Sequence, residues 1–106
     1  MTEQTFLVLS VMAAGPAHGY KIMGAVAELT DGSVKLAAGT LYGILERLVS
    51  HGLLQAVREE THQGRRRVVY ELTRGGASAV TAEAERRSLL SSRVTGLLVG
   101  LREART

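Results

Sequence analysis

Apolar residues recur with helical period along most of this chain, and where that period fails they alternate. In the stretch 36–54, LAAGTLYGILERLVSHGLL, Leu41, Ile44, Leu45 and Leu48 fall at i, i+3, i+4 and i+7 and draw one stripe along a helix of about three turns. That stripe is a core face. Gly39, Gly43, Glu46 and Ser50 point away from it, with Thr40, Tyr42 and Arg47 on the flanks, so the outer face is small, polar and lightly charged. Gly52 closes the helix as the residue just past its cap, and a strand starts at 53–57.

Upstream, TEQTFLVLSVMAAG sets Phe6, Leu9, Met12 and Ala13 on one helical face, while Leu7, Val8 and Val11 occupy much of the rest. A helix apolar on nearly all sides needs cover on nearly all sides, and in so short a chain the second cover is expected from another subunit, a tightly wrapped monomer being the alternative. Gly15 and Pro16 break this helix. AHGYKIMGAVAELTDG then spaces Ile22, Ala25, Val26 and Leu29 as a second helix that stops at Thr30-Asp31-Gly32. Gly24 costs it about 1 kcal/mol relative to Ala, which close packing on the third helix would justify. Val34 and Leu36 alternate with Lys35 as a short first strand pairing with the strands downstream.

After the central helix, LLQAVREE and RRRVVYELT read as two strands, Val68, Tyr70 and Leu72 alternating with Arg67, Val69 and Glu71, and THQG with Gly64 forms the turn between them. Charge is uneven on this hairpin: Glu59 and Glu60 lie on its first strand, and Arg65, Arg66 and Arg67 follow the turn. From Thr73, a capping residue, one long helix runs through Arg105 in spite of Gly75-Gly76. Leu90, Val94, Leu97 and Leu101 are spaced as a coiled-coil seam, and Leu89, Leu98 and Val99 add more apolar surface than a terminal helix left in water should carry. A partner is expected there. These elements predict a mainly α fold with a small β-hairpin wing: a winged helix-turn-helix over 1–73 and a C-terminal dimerisation helix over 74–106, in one compact unit.

Composition narrows the function classes. At 106 residues the chain is one domain, near the size where a dimer helps to bury enough apolar surface. With no cysteine there are no disulfides and no thiolate metal sites, which fits a reducing cytoplasm. The apolar run near the start lacks the basic flank and cleavage site of a signal peptide, and no run reaches the about 18 apolar residues of a membrane span. A net charge of +3 and a pI near 9.8 permit nucleic acid as a partner without demanding it. His18, His51 and His62 lack the spacing of a helical metal site, the serines and acids form no nucleophile motif, and the glycines do not match a phosphate-binding loop. No enzyme, metal or cofactor is expected.

GPAHGYKI at 15–22, GTLYGILERLVSHGLL at 39–54 and GRRRVVYELTRGG at 64–76 together carry a family likeness. In this order and spacing they resemble the PadR-like winged-helix transcriptional regulators, specifically the small members with one C-terminal dimerisation helix. The resemblance implies a homodimer on a partly palindromic operator, usually a repressor relieved by a small molecule. It places Gly39, Thr40 and Tyr42 on the recognition helix, His18 and Tyr20 at the start of the supporting helix, and Arg65, Arg66 and Arg67 in the wing. The chain departs from the family pattern at Ala37 and Ala38, where a capping Ser and a Pro are common, at Gly43, which replaces a larger residue, and in having no Trp for a paired-Trp drug sandwich.

Physical chemistry supports these assignments beside the resemblance. Thr40 can donate and accept at a phosphate or base edge, and Tyr42 can offer its phenolic hydroxyl, or else serve the core with that hydroxyl at the surface. Arg47 is either a phosphate contact or ordinary helix surface beside Glu46. The wing arginines neutralise phosphates or enter the minor groove, or are solvated against Glu59 and Glu60, and at most two of them share one side of a strand. His18 either caps its helix near a phosphate or packs at the helix start. Lys35 counts with the DNA-facing residues, and Phe6, Leu9, Leu90, Val94, Leu97 and Leu101 with the dimer interface. A small apolar or aromatic ligand would sit in the dimer pore between Phe6, Leu9 or Met12 and Val94 or Leu97. The alternative to a DNA-binding regulator is a winged-helix protein-interaction module without DNA binding.

Overall fold

The computed structural model describes residues 1–105. Helix α1 (Glu3–Val11) ends in a tighter 3-10 turn over Met12–Ala14, strand β1 (Ala17–His18) leads into α2 (Gly19–Leu29), and α3 (Ala38–Ser50) follows. Strands β2 (Leu54–His62) and β3 (Arg65–Leu72) form the hairpin, and α4 (Arg74–Arg105) completes the chain. The sheet is antiparallel in the order β1-β3-β2.

The apolar stripe of α3 is the centre of the core: Leu41, Ile44, Leu45 and Leu48 are all buried, together with Ile22 and Val26 of α2, Leu36, Leu54 and Val80. Gly52 and its neighbours close α3 in a Schellman arrangement, Leu53 N–H donating to the Leu48 carbonyl at 2.9 Å and Gly52 N–H to the Val49 carbonyl at 3.0 Å, with Gly52 at φ 74°. The closure turns the chain straight into β2.

Helix α1 differs from its sequence reading. Leu7, Val8, Leu9 and Met12 are buried within the single chain, Leu9 to 0 % exposure, because α2 and α4 both pack on this helix. Leu9 therefore presents no surface to a second subunit, and neither Leu9 nor Met12 can line a pore between subunits; Phe6 stays half-buried at the surface.

Four further expectations give way to the packing. The strand beside β3 is Ala17–His18, pairing with Tyr70 and Val69, while Val34 to Leu36 is a loop; an alternation of three residues is too short to specify a strand. Leu29 is exposed at the end of α2, and Gly24 faces open space with no atom within 4 Å of a Cβ built there, so close packing does not account for it. The hairpin turn narrows to Gln63 and Gly64, at φ 52° and 77°, the two left-handed positions of a type I′ turn.

Thr73 caps α4, its hydroxyl accepting from Gly76 N–H at 3.0 Å and donating to the Gly52 carbonyl. Gly76 is a requirement of this start, since a Cβ there would overlap the Leu53 carbonyl oxygen. Val80 belongs to the common core. One turn on, Glu83 accepts from Arg86 and Arg87, and Arg87 also donates to the Met1 carbonyl at 3.0 Å and stacks on Phe6 with its Cζ 4.5 Å from the ring centre. The Arg86 hydrogen bond, helped by Arg87 and opposed by burial, holds the Glu83 carboxyl at about 2. From Ser88 onward α4 stands exposed.

Candidate nucleic-acid interface

The outer face of α3, the start of α2 and the wing lie on one side of the molecule, and the sheet explains how they meet. Strand β1 is only two residues long, so its pairing with β3 stops at His18 and Val69, and the edge of β3 beyond that point is left uncovered where the chain turns into α2. A niche of about 140 Å³ sits at this edge, lined by His18, Gly19 and Tyr20 of α2's start, Tyr42 of α3, and Arg66, Arg67 and Val68 of the wing. Residues from all the motif regions of the sequence therefore converge on one spot.

His18 is the N-cap of α2: with extended backbone (φ −87°, ψ 167°), its Nδ1 accepts from Lys21 N–H at 3.2 Å. Its Nε2 lies 3.2 Å from Arg67 Nη1. A neutral imidazole has one acceptor nitrogen, so the ring serves the cap or the arginine but not both at once, and a protonated ring serves neither. Burial and then the Arg67 guanidinium lower the His18 pKa, with Lys21 and His62 acting the same way and Glu60 opposing. His18 thus caps α2 with its ring set against Arg67 of the wing.

Register sorts the wing arginines. Arg65 lies opposite His62 and Arg67 opposite Glu60, so Arg65 and Arg67 share one face of the hairpin and Arg66 takes the other. Arg66 grips Glu59 with two hydrogen bonds, Nε to Oε2 at 2.7 Å, which pulls the Glu59 carboxyl below its usual range and raises the guanidinium. Glu60 is engaged by Arg58 at 2.9 Å instead. Arg67 is held by aromatic neighbours, His18 and the Tyr20 ring 5.5 Å away, and Arg65 stands exposed near the tip.

On α3, Gly39, Thr40 and Tyr42 are exposed, and nothing approaches within 4 Å of a Cβ built at Gly39 or Gly43. The Tyr42 ring lies against Gly19, and Gly19 is the site residue that the sequence reading passed over: no local pattern reports a contact between two helices. On its other side Tyr42 borders an open groove with Glu46, Val49, Ala56 and Tyr70, where burial, then Tyr42 and Glu46, raise the Tyr70 phenol. Arg47 falls elsewhere, in a cleft with Met1, Thr2, Thr5 and His51. Lys35 is exposed beside Tyr20, Met23 and Gly24, in a shallow groove next to the niche. Leu90, Val94, Leu97 and Leu101 are all exposed on α4, past Arg87 and its contact with Phe6 of α1. Among the described residues no cluster of metal-ligating side chains occurs, and no helix is long and apolar enough to cross a membrane.

Comparison with known proteins places this architecture. The profile of the transcriptional regulator PadR-like family matches residues 8–82. A 37.1 kDa uncharacterized protein in transposon Tn4556 of Streptomyces fradiae is 38 % identical over 92 residues, which is 87 % of this chain and 25 % of that protein. The chain thus spans a quarter of that relative's length. A PadR family transcriptional regulator from Eggerthella lenta has a similar structure, with 28 % identity and a TM-score of 0.72 over 90 % of this chain and 83 % of that one. Bacillus subtilis PadR, solved in complex with operator DNA, shares the fold at 19 % identity and a TM-score of 0.69 over 79 % of this chain and 48 % of its own. With the family profile covering most of its length, the chain belongs to the PadR-like family of transcriptional regulators, which are not enzymes.

Proposed function

We propose that the chain binds duplex DNA in the cytoplasm as a homodimer and represses transcription from a partly palindromic operator until a small molecule releases it. One observation carries the DNA-binding reading: the outer face of α3, open at Gly39 and Gly43, lies beside a niche where Tyr42, His18, Tyr20, Arg66 and Arg67 converge. A helix with glycines at two outward positions can approach the floor of the major groove there, while arginines beside it meet phosphates and fix its register. The similar regulator solved with operator DNA supports the same use of the fold.

The dimer reading rests on α4. Its distal half exposes Leu89, Leu90, Val94, Leu97, Leu98, Val99 and Leu101, an apolar surface that a second copy of the same helix would bury. A releasing ligand, apolar or aromatic, would then lie between Phe6 of one subunit and Val94 or Leu97 of its partner helix, since Leu9 and Met12 are committed to the core.

Selection of duplexes from a random pool tests the proposal. Enrichment of an inverted repeat, with half-sites about one or two helical turns apart and affinity falling steeply with salt, is the expected result. A pool that returns no motif and shows no salt-dependent binding would favour the protein-interaction module instead.

A further inference from the structure

The niche at the edge of β3 deepens the DNA-binding reading, on which the following rests. We infer that Gly19 is a positioning residue: its lack of a side chain seats the Tyr42 ring on the start of α2, and this commits the Tyr42 hydroxyl to a backbone phosphate beside Arg67 instead of a base edge.

The geometry is specific. A Cβ at Gly19 would stand 3.0 Å from the Tyr42 hydroxyl oxygen and 3.2 Å from ring atoms Cε1 and Cζ, closer than ordinary van der Waals contact. The phenolic end of Tyr42 therefore lies back over the first residue of α2 and does not reach outward from α3. Even so the residue remains 54 % exposed, so a ligand can reach it. Tyr42 lines the same niche as Gly19 and Arg67, its hydroxyl oxygen being the atom nearest a Cβ at Gly19, and Arg67 is oriented there by Tyr20 and His18. A hydroxyl donor and a guanidinium converging on a small open niche suit the oxygens of one phosphodiester. The base edges are left to Thr40, since Gly39 and Gly43 bring no side chain to them.

Two duplexes and a double-mutant cycle test this. Affinities of the wild type, Tyr42→Phe, Tyr42→Ala, Gly19→Ala and the Gly19→Ala/Tyr42→Ala pair are measured on a selected operator and on a scrambled duplex of equal length. Tyr42→Phe should weaken both duplexes by the same factor, about tenfold, as loss of a hydrogen bond to a charged group does. Gly19→Ala should weaken binding comparably when Tyr42 is present and leave it within about twofold once Tyr42 is Ala. Loss confined to the selected operator in Tyr42→Phe would make the hydroxyl a base reader and overturn the inference. It is equally overturned if Gly19→Ala costs the same in both backgrounds, or unfolds the protein by circular dichroism, for Gly19 would then serve only the fold. A wild type that binds neither duplex contradicts the DNA-binding proposal itself, and is recognised before any variant is made.

Discussion

Ala37 starts α3 with the extended backbone of an N-cap (φ −70°, ψ 149°) but has no side chain to accept from the free amides of the first turn. Thr2, His18 and Thr73 supply such caps to the other helices. Ala37→Ser should therefore stabilise the protein by about 1 kcal/mol, read as a rise in the denaturant midpoint at unchanged slope. His18 makes a pH prediction. Its pKa is lowered in the fold, so the folded state binds fewer protons than the unfolded chain near the ordinary value of 6.5. The stability it contributes is present above that value and lost as pH falls through the lower, folded one. His18→Asn keeps a cap without the titration, and its melting temperature should drop less than that of the wild type between pH 7 and pH 5. Equal drops would show that His18 does not carry the dependence. At this scale the sequence was legible where a residue's role is local, as for the missing cap at Ala37. The seat of Tyr42 on Gly19 was not, because it depends on how α2 crosses α3.

Among the elements, α3 was the most legible, since four buried residues at helical spacing repeat one instruction through Leu41, Ile44, Leu45 and Leu48. Strand β1 was hidden: two residues, Ala17 and His18, are held by backbone bonds to β3 and carry no side-chain alternation. Helix α1, apolar on most sides, announced that it needed cover but not that α2 and α4 of its own chain provide much of it. Gly75-Gly76 read as a weakness in α4, yet Gly76 is where the helix start meets the Leu53 carbonyl. Gly76→Ala should destabilise the fold by about 1–3 kcal/mol despite Ala's better helix propensity, as unfolding titrations would report; a stabilised variant would refute the close contact. In the wing, Arg65 is exposed and forms none of the ion pairs that hold Arg66 and Arg58. Arg65→Ala should reduce the salt slope of DNA binding by about one, on selected and scrambled duplexes alike. An unchanged slope would take Arg65 off the phosphates.

The whole molecule is elongated, 60 × 27 × 21 Å, with a radius of gyration of 16.9 Å, where a compact domain of this length would have about 13 Å. The excess is α4, whose apolar distal half projects from a core that needs nothing from it. Leu97, 79 % exposed, is the most open of the large apolar residues along it. Leu97→Asp should leave the winged helix folded, dissociate the dimer, and weaken operator binding far more than Arg65→Ala does, because two linked half-site contacts become one. Sedimentation equilibrium of the chain with a duplex bearing the selected inverted repeat is the most direct measurement. Two chains per duplex are expected for the wild type, and no dimer in free Leu97→Asp protein. A wild-type complex holding one chain per duplex, or a Leu97→Asp protein that still sediments as a dimer, would contradict this.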